Sequence, residues 1–207
     1  MYRPKENKLV FIFFTWYIKF IIKKDFSNFS FDKSEYNTNK SILLLSNHFS
    51  WWDGFFIFYI NKLYFKKQFH VLVSGENYNK VGFLKYLGAF APATKGKDII
   101  ETLKYAGDLL NDPNNLVLVF PQGKLQSNHI KNIAFEKGIM QIINSSQKQM
   151  EVVFSASFID YFSKRKPSVY TYLQKWDTEE YISLQLLKSS YNKHYEQSIL
   201  KQSKITE

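Results

Sequence analysis

The chain has 207 residues, enough to bury the core of one ordinary domain and short for two. Its 28 Lys and Arg stand against 18 Asp and Glu, a net charge of +10, and 45% apolar content excludes a disordered chain while the charge points to an anionic partner. With no Cys, disulfides, thiolate metal sites and cysteine nucleophiles are all excluded, and four scattered His offer little to a metal; a reducing cytoplasm fits this usage.

The first element spans 9–22, LVFIFFTWYIKFII, between Arg3, Lys5 and Lys8 on one side and Lys23 and Lys24 on the other. As a helix it reaches about 21 Å, short of the roughly 20 apolar residues that span a bilayer. No small-residue cleavage site follows, which disfavours a secretory signal. Two expectations stand: an interfacial helix docked on an anionic membrane, with each basic residue near the lipid contributing on the order of 1 kcal/mol, or a plain core helix. The 18% aromatic share suits an interface, and an A/T-rich coding sequence would explain it equally well. Residues 1–24 are therefore set apart as a membrane-docking helix, and 25–207 as a single domain.

Apolar runs of strand length follow at 42–45, 71–73, 116–120, 152–157 and 169–173, alternating with helical spacing over 54–66, 97–111 and 130–145. The predicted fold is α/β, a mostly parallel central sheet flanked by helices, preceded by the interfacial helix. Late in the chain, 178–200 reads as an amphipathic helix with Tyr181, Leu184, Leu187, Tyr191 and Tyr195 along one side, a core-packing pattern. In parallel sheets ligands sit beyond the carboxyl ends of strands, so residues just after each apolar run carry the functional expectation.

The run ILLLS passes directly into Asn47, His48, Phe49, Ser50, Trp51, Trp52 and Asp53. Inside one helix, residues five apart lie about 140° from a common face, so His48 and Asp53 meet only if His48 sits on a turn before the helix. A carboxylate that accepts from one imidazole nitrogen fixes the tautomer and raises the basicity of the other, which makes a general base. Ser50 lies close, but the dyad has no serine or cysteine nucleophile as a member, so the base is expected to act on a substrate hydroxyl. On its own the pair is equally the pattern of a helix-capping aspartate after a loop histidine.

A second segment, Gly82-Phe83-Leu84-Lys85-Tyr86-Leu87-Gly88-Ala89-Phe90, and a third, Phe120-Pro121-Gln122-Gly123-Lys124-Leu125-Gln126-Ser127, follow in order. Together with Asn47, His48 and Asp53 they resemble the PlsC-type 1-acylglycerol-3-phosphate acyltransferase (lysophospholipid acyltransferase) superfamily, with its NHxxxxD, GxxxxLGAF and FPEGTRS blocks. Phe135-Glu136-Lys137-Gly138 is similar to a further FKxG-like element. The resemblance covers 42 to about 157 and marks a divergent member: Lys95 is the one cation where the family has a substrate-binding Arg, and Gln122 and Leu125 replace the Glu and Arg of the third block. Such an Arg binds an anion bidentately, as Leu cannot. The resemblance implies catalysis by His48 and Asp53, and substrate binding by Asn47, Lys95, Phe120, Pro121, Gln122, Gly123 and Lys124, with backbone amides near Gly123 as oxyanion donors.

The activity this resemblance implies is that of an O-acyltransferase moving a fatty acyl group from acyl-CoA or acyl carrier protein to a lipid hydroxyl. The acceptor is lysophospholipid-like or another lipid such as an aminolipid, glycolipid or pigment. No metal or other cofactor is expected, nor nucleic acid, since no helix-turn-helix, zinc-finger or RNP-like signal accompanies the charge; the oligomeric state is left open. The expected location is peripheral, on the cytoplasmic face of the membrane. The alternative is a catalytically decayed, basic membrane-binding protein of the same fold. His129, His70 and His194 are expected to be structural, and Lys62, Lys66 and Lys67 to form a solvated helix end.

Overall fold

The computed structural model describes residues 1–33, 35–147, 150–177 and 182–206. Seven strands form one sheet: β1 (Asn28–Phe31), β2 (Ile42–Ser46), β3 (Gln68–Leu72), β4 (Ala89–Phe90), β5 (Asn115–Val119), β6 (Glu151–Asp160) and β7 (Ser168–Trp176). Their order is β1-β7-β6-β2-β5-β3-β4. Every pairing is parallel except the β6–β7 hairpin. The helices are α1 (Lys8–Asp25), α2 (Asp53–Ile60), α3 (Gly75–Lys80), α4 (Lys97–Leu109), α5 (Gly138–Ser145) and α6 (Leu184–Gln202). The expected α/β architecture is what the chain adopts.

Continuous apolar strands follow from covering both faces of the sheet. Along β2, Ile42 and Leu44 face a core shared with Ile18 and Ile22 of α1 and Phe56 of α2. Leu43 and Leu45 face the opposite core, with Ala106 of α4, Ile142 of α5, and Leu187, Tyr191 and Tyr195 of α6. The period of two along a strand divides the two cores.

α1 starts at Asn7, whose side chain accepts from the Val10 N–H at 3.0 Å. Ile18, Ile21 and Ile22 are buried, while Leu9, Ile12, Phe13, Trp16 and Phe20 stay exposed at helical spacing. The helix thus packs on the domain through one face and leaves a second apolar face outside. Among the described residues no helix is long and apolar enough to cross a membrane.

Three expectations need correction. The helix over 130–145 is confined to α5, because residues before it bond elsewhere: Glu136 N–H donates to the Pro121 carbonyl at 2.8 Å, and Ile133 N–H to Asn192 Oδ1 at 2.6 Å. The last helix begins at Leu184 with Ser183 as its cap; Thr178 and Tyr181 lie outside the described residues. Lys67 is buried, its ammonium donating to the carbonyls of Thr38 (3.0 Å) and Pro113 (2.7 Å), so it ties loops together under the sheet and is not part of a solvated helix end.

Candidate active site

β2 ends at Ser46, and the chain turns before α2 begins at Asp53. Asn47 secures the departure point. Its Nδ2 donates to the Ser157 carbonyl (2.9 Å) and its Oδ1 accepts the Ser157 N–H (2.8 Å). The buried side chain thereby extends the β2–β6 ladder past the end of β2. Asn47 therefore faces protein at both ends of its amide, not substrate.

His48 sits on the turn and Asp53 in the first turn of the helix, the placement that lets them meet. His48 Nδ1 and Asp53 Oδ2 lie 2.8 Å apart. A carboxylate only accepts, so the ring donates through Nδ1–H and leaves Nε2 as its basic nitrogen. The same Oδ2 accepts the N–H groups of Phe49 (2.8 Å) and Ser50 (2.9 Å). These amides precede the helix, so the carboxylate folds back over the turn and does not cap helical N–H groups in the way the capping alternative requires. Asp53 is 1% exposed, whereas the His48 side chain keeps 19% of its surface open. Burial raises the Asp53 carboxyl above its ordinary value, opposed by the His48 bond and the two amides. Among the described residues, its Oδ1 is buried with no partner.

The segment after β5 closes over the other side of the histidine. The Phe120 ring stacks on the imidazole, with centroids 4.0 Å apart and planes 16° apart. Gln122 is 3% exposed; its Oε1 accepts the His48 N–H at 2.6 Å and its Nε2 donates to Gln126 Oε1 at 2.6 Å. The Gln126 N–H in turn donates to the His48 carbonyl at 2.9 Å. Gly123 adopts φ +65°, and its N–H donates to the Phe120 carbonyl at 3.1 Å. This amide closes the turn and is therefore committed, so an oxyanion donor near Gly123 has to be another backbone amide of the segment. The arrangement supplies a carboxylate-oriented imidazole, braced on one ring face by an aromatic side chain, at the carboxyl edge of a parallel sheet. A family model described as Acyltransferase matches residues 28–155, more than half of the chain. The chain belongs to the PlsC-type acyltransferase family. No curated protein matches it.

Within this acyltransferase the matched span runs from β1 into β6 and holds the His48–Asp53 pair and the 120–126 segment; α1 and α6 lie outside it. The remaining candidates are more dispersed. Lys95 is exposed on the loop beyond β4, three strands over from β2. Lys124 is exposed on the turn itself, and Pro121 is buried beneath it. His129 is exposed, while His70 pairs with Asn115 (3.3 Å) and His194 with the Tyr172 carbonyl (3.2 Å), both as structural groups. Gln126 is the contributor that sequence reasoning missed. Its only local signal is a second amide four residues after Gln122, which carries no pattern by itself.

Proposed function

We propose that this acyltransferase moves a fatty acyl group from an acyl-CoA or acyl carrier protein thioester to a lipid hydroxyl, working peripherally on the cytoplasmic face of an anionic membrane. The observation that carries the reading is the 2.8 Å contact between His48 Nδ1 and Asp53 Oδ2 in a chain of this family. His48 Nε2 takes the hydroxyl proton as the oxygen attacks the thioester carbonyl carbon. Asp53 stabilises the resulting imidazolium, and the Phe120 face adds a favourable cation–π contact. As the tetrahedral oxyanion collapses, the C–S bond breaks and the thiolate recovers the proton from Nε2–H. The products are an ester and a free thiol.

Support for a lipid surface comes from α1. Leu9, Ile12, Phe13, Trp16 and Phe20 form one exposed apolar stripe, with exposed Lys5 and Lys8 at one end and Lys23 and Lys24 at the other. Basic residues at both ends suit a helix lying flat at headgroup level. An aromatic series leads from it toward the site: Phe14 stacks on Phe83 (4.2 Å), Phe83 on Phe55 (6.1 Å), and Phe55 meets Trp51 edge-on (5.0 Å). Trp51 is exposed, three residues after His48.

The deciding assay incubates purified protein with acyl-CoA and acyl carrier protein donors and a total lipid extract, and reads products by mass spectrometry beside His48→Ala. A His48-dependent acylated lipid is expected. Its absence, with the variant folded, moves weight to a decayed, membrane-binding member of the family. Flotation with phosphatidylcholine vesicles, with and without phosphatidylglycerol, tests the surface: Phe13→Glu/Trp16→Glu should abolish binding to the anionic vesicles. Unchanged flotation of that variant would refute docking through α1.

A further inference from the structure

We propose that Gln122 and Gln126 act as a pair of positioning residues, a neutral amide bracket that grips the main chain of His48 from both sides and so aims its ring at Asp53. Residue 48 lies just past the end of β2, where the sheet ladder no longer holds its N–H and C=O. Both groups are nevertheless bonded, and both partners come from one segment. The N–H donates to Gln122 Oε1 (2.6 Å), and the C=O accepts from the Gln126 N–H (2.9 Å). Gln122 cannot rotate freely, because its Nε2 is fixed on Gln126 Oε1 (2.6 Å). The amide orientation is chemically determined: a backbone N–H needs an acceptor, which directs the Gln122 carbonyl to His48 and its NH2 to Gln126.

The geometry gives Gln122 a task different from contacting substrate. At 3% exposure, with both ends of its amide occupied, it presents nothing to a ligand. Its neutrality also matters, because this turn already holds the buried Asp53 carboxyl group, hydrogen-bonded to the His48 ring. An ionised group added there would be disfavoured by burial and by repulsion from an ionised Asp53. A glutamate at 122 could still accept from His48 N–H, yet it has no donor for Gln126 unless the Gln126 amide turns over. Together with the Phe120 stack on the ring, the bracket fixes the imidazole from backbone to ring face.

The test needs neither donor nor acceptor, so its failure is independent of whether the acyl transfer proposed above is correct. The full chain is labelled with 15N, His48→Ala assigns the His48 imidazole among the four histidines, and amide exchange and imidazole tautomer are read by NMR alongside thermal unfolding. In Gln122→Leu, exchange of the His48 amide should accelerate roughly 3- to 10-fold relative to neighbouring β2 amides, the effect of losing one hydrogen bond, and the single Nδ1–H tautomer should become a mixture. Gln122→Glu, which keeps the acceptor for the His48 N–H but loses the donor to Gln126, should restore amide protection only in part, and Gln126→Met, which keeps the backbone bond, should also fall between. Wild-type exchange and tautomer in Gln122→Leu would overturn the proposal, as would a uniform acceleration of all β2 amides. Should Gln122→Leu fail to fold, Gln126→Met, at a half-buried position, decides by the same two readouts.

Discussion

Replacing Asp53 with Asn separates a carboxylate that supports the His48 imidazolium from one that merely holds the turn. The carboxylate oxygen Oδ2 accepts from His48 Nδ1 and from the amides of Phe49 and Ser50 at 2.8–2.9 Å. An asparagine oxygen in the same place keeps both amides and still accepts from Nδ1–H, but the imidazolium formed during transfer then faces a neutral amide in place of a charge. The charge assistance of that bond is worth about 1.5–3 kcal/mol in the transition state, a loss of roughly 10- to 100-fold in turnover. Stability should move the other way. Burial raises the Asp53 carboxyl in the folded chain above its unfolded value, so the native state binds its proton more tightly and stability falls as pH rises through the folded value. Above that folded value the ionised group is therefore a net burden on the fold, and Asp53→Asn should melt no lower than wild type. Thiol release from palmitoyl-CoA in the presence of total lipid extract, followed with an aromatic disulfide, reads activity cleanly because the chain has no cysteine. More than a tenth of wild-type turnover, or a melting temperature several degrees lower, would refute the reasoning.

Burial lowers His194 from 6.5 to about 4. A histidine lowered on folding binds fewer protons in the native state, so stability is lost as pH falls from about 6.5 toward 4, by about 3 kcal/mol for this shift. His194→Gln keeps a donor for the Tyr172 carbonyl and should remove most of that acid sensitivity in urea melts at pH 7.5 and 4. An unchanged difference between the two pH values would show that another group dominates; His70, also lowered by burial, acts in the same direction. Gly88 adopts φ +90°, and a Cβ there would overlap the Phe69 carbonyl oxygen. Gly88→Ala should cost about 3 kcal/mol or more, a fall of roughly 6–12 °C in melting temperature; a shift under 2 °C would contradict the geometry.

The parts of this fold that were legible are those whose cause is local. ILLLS has to be a doubly covered strand because four adjacent apolar side chains alternate between two faces, and both faces prove to be core. The approach of His48 to Asp53 followed from five-residue spacing combined with a strand-to-helix turn. The roles of Asn47 and Gln122 were not legible, because each is set by a partner far along the chain: Ser157 for one, and the His48 main chain with Gln126 for the other. β1 was missed for a related reason: NFSF alternates polar and apolar over only four residues, too few to fix a period, and it pairs only with β7, some 140 residues later. Lys67 read as solvent-facing because charge is a reliable surface signal until loop carbonyls converge to replace water, as those of Thr38 and Pro113 do. Gly123 did supply the predicted turn, and closing that turn uses its own N–H.

Because Ile18 and Ile22 root α1 in the same core as Ile42 and Leu44, the helix works as a keel and not as a tether. Deleting it to obtain a better-behaved protein would strip the covering from one face of the sheet, so solubility has to be engineered by substitution along the outer stripe. The same rooting removes rotational freedom: any surface the stripe rests on meets the strand ends, and the mouth of the His48 turn, at one set angle.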